Sequence, residues 1–179
     1  MRLVIAVCAA ILFSAPALAQ PTAANNESPN GRPVVEREDQ PDIVNYGGGD
    51  GLMNAAIDEA RSRLSYFWQR MAEPTRNEFD FTLKVGFPVT SDDVTTEHIW
   101  VEDLKREGAT LRGALANEPN WMTGKHVGDE VVFTEDMISD WGFARRDKLI
   151  GYYTLRVMLD DMSEDDRLAF AEMLGENPD

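Results

Sequence analysis

The side chains best suited to binding or catalysis are concentrated in one stretch, residues 97–141. Short apolar runs alternate here with Gly, Asn-Glu-Pro and Gly-Asp signals, a pattern that predicts several short strands joined by turns. Polar and aromatic side chains lie at the ends of these runs, so we expect any binding surface to be built from them. The candidate binding residues are His98, Trp100, Asn117, Glu118, Asp140 and Trp141.

The histidine and cysteine content limits the metal chemistry of this chain. It has two histidines, His98 and His126, and its single cysteine, Cys8, lies in the N-terminal apolar run. The sequence contains no His-Glu-x-x-His helix and no cysteine cluster, which are the patterns that hold zinc. Two histidines with a carboxylate stay as a weaker alternative, and the sequence indicates no metal site and no cofactor.

Hydrolysis is the competing chemical hypothesis. Ser139 lies outside any Gly-x-Ser-x-Gly elbow and would need a histidine base that only the fold can supply. Glu118 and Asp140 would suit glycoside hydrolysis if the fold held them about 5–10 Å apart. Two functions stay open: a non-enzymatic binding or interaction module, and a cell-envelope hydrolase that uses His98 with Glu118 or Asp140.

The N-terminus predicts export. Arg2 precedes an unbroken apolar run at residues 3–13, and Ala17-Leu18-Ala19 is the small-x-small pattern of a signal peptidase site. We expect residues 1–19 to be a signal peptide cleaved between Ala19 and Gln20, which leaves a periplasmic or secreted protein without a membrane anchor. Residues 20–49 are rich in Pro, Asn, Glu and Asp, so we expect a disordered leader.

The net charge narrows the range of partners. The chain has 17 basic and 32 acidic side chains, a formal net charge of −15. Nucleic acids and anionic lipid surfaces are bound through an excess of Lys and Arg, so this charge argues against both. The expected partner is an unidentified protein or a small-molecule ligand.

The apolar periodicity predicts one α+β domain over residues 50–175. Apolar residues recur at steps of three and four from 52 to 71, which predicts a long helix, and at steps of two from 79 to 89, which predicts a strand. Ser163 and Asp166 resemble a capping box that opens a short C-terminal helix, which Gly175 stops. We expect a curved antiparallel sheet of five or six strands, or a half-open barrel, packed by the long helix. The further predicted strands are residues 96–103, 109–115, 130–134 and 149–159.

Strand alternation assigns faces around the candidate residues. Ile99 and Val101 are the expected core pair of their strand, which places Glu97 on the core side and His98 with Trp100 on the open side. Asp140 lies in an apolar neighbourhood, and a buried charge requires partners. We predict that backbone N–H groups or Arg156 hold Asp140 and so fix the turn before Trp141.

Six short motifs together resemble the bacterial YegJ-like family, domain of unknown function 2314. The resemblance spans residues 52–159 and leaves the leader and the last helix outside. It implies no reaction, because the family brings no catalytic residues to transfer. The motifs are MNAAI (53–57), EHIWV (97–101), LANEP (115–119), VGDEV (127–131), ISDW (138–141) and GYYTLR (151–156).

Overall fold

The computed structural model describes residues 34–35, 43–44, 50–91 and 94–178. In the first two ranges the backbone forms a short antiparallel pair, β1 (Val34–Val35) with β2 (Ile43–Val44). The predicted signal peptide and most of the predicted leader lie outside the described residues. Both stay predictions, as do the domain boundaries at residues 50 and 175.

Six antiparallel strands form one open, curved sheet. They are β3 (Glu78–Pro88), β4 (Thr96–Glu107), β5 (Thr110–Leu115), β6 (Glu130–Thr134), β7 (Ile138–Arg145) and β8 (Lys148–Gly151). Their spatial order is β6-β5-β4-β3-β7-β8, which leaves β6 and β8 as the two edges. With the helices described below, the sheet confirms the predicted α+β class. The sheet is open and curved, and the alternative of a half-open barrel stays a prediction.

The pairing of β3 with β4 separates a buried face from an open face. The cross-strand pairs on the buried face are Leu83 with Val101 and Val85 with Ile99. The intervening pairs are Lys84 with Trp100 and Gly86 with His98, and their side chains point to the other face because successive residues alternate. Glu97 is buried beside the core pair. The predicted faces of this strand are therefore confirmed.

A β-bulge in β7 sets the direction of its polar side chains. Lys84 pairs with Asp140 while Val85 pairs with Ile138, so Ser139 is the extra residue of β7 at this point. Ser139 and Asp140 are both buried. The bulge therefore brings two consecutive polar side chains into the interior next to the strand that carries Lys84.

The predicted helix at residues 52–71 is two helices in the structure, which corrects the expectation of one long rod. They are α1 (Gly51–Ser62) and α2 (Leu64–Ala72), separated by Arg63, whose backbone has left the helical region. Asp50 caps the first, because its side chain accepts a hydrogen bond from the Met53 N–H.

The break between α1 and α2 has a tertiary cause. The indole N–H of Trp141 donates to the Ala60 carbonyl oxygen over 2.8 Å, and the Arg63 N–H donates to the same oxygen over 3.2 Å. In an unbroken helix that carbonyl would accept from the N–H of Leu64, four residues on. A side chain that takes a carbonyl out of this ladder interrupts the helix.

Both helices pack on the sheet through one apolar stripe. Ala60, Leu64 and Phe67 are buried, and the Phe67 ring lies 5.8 Å from Phe81 and 5.6 Å from Trp141 between centroids. Burying such side chains contributes roughly 1.5–3 kcal/mol each. The predicted packing of the N-terminal helical segment against the sheet is therefore correct, although that segment is divided.

The predicted strand at residues 149–159 is wrong beyond its first residues. β8 ends at Gly151 (φ 88°), Tyr152 follows with φ 53°, and the chain continues as helix α3 (Tyr153–Met158). Two consecutive left-handed residues cannot belong to a regular strand. The alternation that indicated a strand was therefore carried by a helix that begins two residues later.

The C-terminal helix is where the sequence placed it. Helix α4 spans Glu164–Met173 and comes after a 3₁₀ turn at Leu159–Asp161. A second 3₁₀ turn of the described chain, Glu135–Met137, lies between β6 and β7. Ser163 caps it by accepting from the Asp166 N–H over 3.2 Å. The predicted Ser163 cap is therefore confirmed, and Asp166 faces it by accepting from the Ser163 hydroxyl over 2.6 Å.

Candidate functional site

Four side chains form a cluster on the open face of the sheet, which we call the open-face cluster: Lys84, His98, Trp100 and Tyr152. The ring centroids of Trp100 and Tyr152 are 5.0 Å apart, and the Lys84 ammonium lies 5.9 Å from the Trp100 ring centroid. His98 is exposed, Lys84 and Trp100 are half-buried, and Tyr152 is buried. This is the region where the sequence placed His98 and Trp100 together.

The His98 ring is positioned by a glycine and a serine. A Cβ atom on Gly86 would stand 3.0 Å from His98 Cε1, so the neighbouring strand leaves the ring its space. His98 Nδ1 lies 2.8 Å from Ser139 Oγ, and the Ser139 hydroxyl donates to the Lys84 carbonyl oxygen over 3.2 Å. We assign the ring proton to His98 Nδ1, because the Ser139 hydroxyl has a single proton and the Lys84 carbonyl oxygen can only accept it.

The electrostatics keep His98 neutral. Burial and, after it, the positive charges of Lys84 and Arg61 together lower the pKa of His98 to about 4. At neutral pH the ring therefore carries one proton, on Nδ1. With the proton on Nδ1, Nε2 is a hydrogen-bond acceptor on a side chain that is exposed as a whole.

This geometry does not activate Ser139 as a nucleophile. A general base must accept the hydroxyl proton, whereas His98 donates to Ser139. Ser139 is also only 1% exposed, so a substrate carbonyl has no approach to its oxygen. The fold supplies the serine with a histidine, but as a structural partner.

Glu118 lies with the other histidine. Its carboxylate accepts from His126 Nδ1 over 2.8 Å and from the Val127 N–H over 3.0 Å. The Val127 N–H and the His126 ring lower the pKa of Glu118, and Glu118 in turn raises the pKa of His126. This exposed pair closes the loop between β5 and β6. Within the described residues no hydrogen bond joins Glu118 to His98.

Asn117 and Glu97 hold the same loop from its other end. The Asn117 side-chain oxygen accepts from the backbone N–H of Trp100 over 3.1 Å. The buried Glu97 carboxylate accepts from the N–H groups of Asn120, over 2.6 Å, and Trp121, over 2.9 Å. Asn117 is therefore a positioning residue for the strand that carries Trp100, and its amide is used in the fold.

Asp140 anchors the start of helix α3. Fully buried, it accepts from the N–H groups of Trp141, Tyr153 and Thr154 and from the Thr154 hydroxyl, over 2.7–3.1 Å. Burial raises the pKa of Asp140, while Lys84 and these hydrogen bonds oppose the shift. Lys84 Nζ donates to the same Thr154 hydroxyl over 3.1 Å. The prediction that backbone N–H groups hold Asp140 is confirmed.

Arg156 and Trp141 have other places than the sequence suggested. Arg156 donates to the carbonyl oxygens of Gly151 and Gly175, so the alternative that it pairs with Asp140 is wrong. Trp141 is fully buried on the core face opposite Leu83, with its indole N–H on Ala60. Trp141 is therefore a core residue and does not line a binding surface.

The described part of the chain brings no metal-type cluster together. Within the described ranges there is no group of three or more His, Cys, Asp or Glu side chains placed to hold one ion. The helices of that part of the chain are all too short or too polar to cross a membrane.

Comparison with known proteins identifies the family. The profile of a family described as an uncharacterized protein conserved in bacteria, domain of unknown function 2314, matches residues 50–177. The chain belongs to this family. The resemblance predicted from six motifs is confirmed, but the match extends beyond residue 159 and includes helix α4. No solved structure matches the chain.

Two curated relatives support the assignment. A putative ankyrin repeat protein of Neisseria meningitidis serogroup B is 32% identical over 123 residues, which cover 66% of this chain and 49% of that protein. The uncharacterized protein YegJ of Escherichia coli K12 is 32% identical over 117 residues, which cover 65% of this chain and 73% of YegJ. The chain thus spans about half the length of the first relative.

The family motifs lie on helices α1 and α3, on strands β4 and β7, and at the two ends of the β5–β6 loop. Sequence reasoning missed Ser139 as a partner of His98, and it missed Lys84 and Tyr152 as neighbours of Trp100. The alternation of β3 contained a signal for Lys84, since it puts Lys84 and Gly86 on the same face. No local signal placed Tyr152, which reaches Trp100 only because the chain turns sharply after β8.

Proposed function

We propose that this member of the family is a non-enzymatic binding module whose contact surface is the open-face cluster. The observation that supports this most is the use of the polar motif residues. Backbone N–H groups donate hydrogen bonds to the side chains of Asn117, Glu118 and Asp140, and His126 donates a further one to Glu118. His98 keeps a neutral, exposed acceptor beside a half-buried indole, an arrangement suited to recognition.

The cluster suits a partner that donates a hydrogen bond and covers an aromatic surface. His98 Nε2 accepts, and Trp100 supplies a half-buried apolar surface whose ring packs on the buried ring of Tyr152. Aromatic side chains of this kind dominate the energetics of protein and small-molecule contacts. The proposed partner is a protein or a small-molecule ligand that presents an N–H or O–H group to His98.

The hydrolase hypothesis lacks support of this kind. It required His98 to work with Glu118 or Asp140, and these acids are engaged at His126 and at the start of α3. The contact of His98 with Ser139 runs in the wrong direction for general-base catalysis.

A modular role is consistent with the longer relative. The chain matches about half of a protein whose name describes ankyrin repeats. Such repeats stack into extended surfaces that are well suited to binding. We propose that the domain acts as a separate recognition unit that can be joined to others.

We also propose that the chain works in the periplasm. Residues 1–13 have the charge and apolar length of a signal peptide, and the Ala17–Ala19 pattern supplies its cleavage site. N-terminal sequencing of protein from a periplasmic fraction is expected to begin at Gln20. Recovery of full-length chain from the cytoplasm alone would contradict export.

Site-specific crosslinking tests the binding surface. A photoreactive residue at position 98 is expected to crosslink a defined partner, whereas the same residue at exposed position 132, on edge strand β6, is not. In parallel, Trp100→Ala and His98→Gln are expected to weaken capture of that partner at least tenfold, with His126→Gln as the matched control. Circular dichroism verifies that each variant is folded. Equal crosslinking at positions 98 and 132 would refute the assignment.

A further inference from the structure

A second concave surface lies away from the open-face cluster. It is a groove of about 790 Å³ between α2, the turn before β3, the β7–β8 turn and the segment after α4. Its charged side chains are Arg70, Glu78, Arg145, Arg146, Asp147, Lys148 and Glu176. Four cations face three acids, so the wall carries a net charge of +1 on a chain whose net charge is −15. The groove is therefore positively charged, although the protein as a whole is strongly acidic.

A buried acid holds two of these cations in place. The Glu78 side chain is 2% exposed, and its two oxygens take Arg70 Nη2 over 2.5 Å and Arg145 Nε over 2.9 Å. Burial would raise the pKa of Glu78, but the hydrogen bonds from Arg70, Thr75 and Arg145 outweigh it and hold that pKa at about 2. Each guanidinium has five N–H donors, so both retain donors after binding one carboxylate.

The other two cations lie on the β7–β8 turn. Arg146 is exposed, and within the described residues its side chain takes part in no ion pair. Its φ of 58° falls in the left-handed region, where Gly or Asn is the usual residue. The Lys148 ammonium donates to the Glu172 carbonyl oxygen, a neutral acceptor that leaves its charge uncompensated.

We propose that this groove binds a small anion through a phosphate or carboxylate group. Oriented guanidiniums match the planar oxygen pairs of such groups, and Lys148 adds a point charge. Large polyanions do not fit, because at low salt the surrounding acidic surface repels them over a Debye length of roughly 10 Å or more. A small ion inside the groove lies close to the cations, and salt and solvent screen it from the acidic side chains of the surrounding surface.

Calorimetric titration of the full chain with pyrophosphate and, separately, with citrate tests the proposal. At low ionic strength we expect saturable binding of at least one probe, and the stronger one distinguishes a phosphate from a carboxylate ligand. Arg146→Gly is expected to weaken binding about tenfold while the melting temperature stays equal or rises, because glycine relieves the left-handed strain. Lys148→Gln is expected to weaken binding similarly.

Arg112→Gln is the matched control, since Arg112 lies on β5 and pairs with Glu107 and Glu130. Its variant is expected to bind the probes like the wild type. The proposal is overturned if neither probe binds more tightly than chloride does, or if Arg146→Gly and Lys148→Gln bind the probes as tightly as the wild type. It is also overturned if Arg112→Gln loses as much affinity as these two variants.

Discussion

Replacement of Asp140 by Ala tests the main structural claim about the family motif ISDW. The change removes one fully buried carboxylate and leaves three N–H groups and one hydroxyl without their acceptor. It also removes the negative charge of Asp140 from the neighbourhood of Lys84, which donates to the Thr154 hydroxyl. Breaking a buried charge interaction by removing one partner costs about 3–5 kcal/mol, a large part of a typical domain stability of 5–15 kcal/mol.

The size of the expected effect follows from the length of the domain. The unfolding entropy is about 2.1 cal/mol/K per residue, which for roughly 130 residues gives about 4 °C per kcal/mol. We therefore expect Asp140→Ala to lower the melting temperature by roughly 10–20 °C. Asp140→Asn, which keeps an oxygen acceptor but adds two N–H donors among existing donors, should lie between Ala and wild type.

Differential scanning calorimetry at neutral pH measures this shift. The control is Asp58→Ala, because Asp58 is exposed in the middle of α1, and such surface changes stay within about 0.5 kcal/mol. Loss of the α3 cap should also accelerate amide exchange of Tyr153 and Thr154 before global unfolding. A melting temperature of Asp140→Ala equal to that of Asp58→Ala would refute the anchoring role.

Three further predictions concern single side chains. In an NMR titration His98 should stay neutral near pH 7, with a pKa of about 4, while the pKa of His126 should be raised above 6.5. A spectrum of the His98→Gln variant assigns the two histidine signals. A common titration midpoint for both histidines would contradict this description of the site. The pKa of Glu78 is about 2 in the folded chain and 4.5 ordinarily, so its ionised form contributes roughly 3 kcal/mol to the free energy of unfolding. This contribution is present above pH 4.5 and is lost as the pH falls toward 2. Glu78→Gln should be less stable than wild type at neutral pH, and in acid denaturation its stability should depend less on pH between 4.5 and 2. Gly86→Ala should displace the His98 ring, because the new Cβ would meet His98 Cε1 at 3.0 Å, and should raise the His98 pKa toward 6.5 without abolishing folding; an unchanged pKa would show that the ring has other space.

The strands and faces followed from the sequence wherever one face of an element is buried along its length. In β3 and β4 the alternation of apolar and polar residues is dictated by the pleat, so Leu83, Val85, Ile99 and Val101 were assigned correctly. The capping residues Asp50 and Ser163 were also predictable, because a cap depends on residues only three positions apart. Local physics was sufficient in these cases.

The errors arose where a distant contact overrode a local pattern. The break at Arg63 depends on the indole of Trp141, which is 81 residues from the Ala60 carbonyl that it binds, and helix α3 depends on Asp140, 14 residues before Thr154. Neither partner can be read from the segment that it changes. The candidate site divides in the same way, since His98 and Trp100 were found by alternation while Ser139 and Tyr152 were not.

The sequence alone determined the class of the fold, the order of most elements, the family and the acidic character of the chain, because these depend on composition and short periodicities. The tertiary structure decided what the polar motif residues do. It put Glu118 on His126, Asp140 at the start of α3, Trp141 in the core and His98 on Ser139. The physical reason is that a buried polar group must find a partner, and which partner it finds is settled only when distant segments pack together.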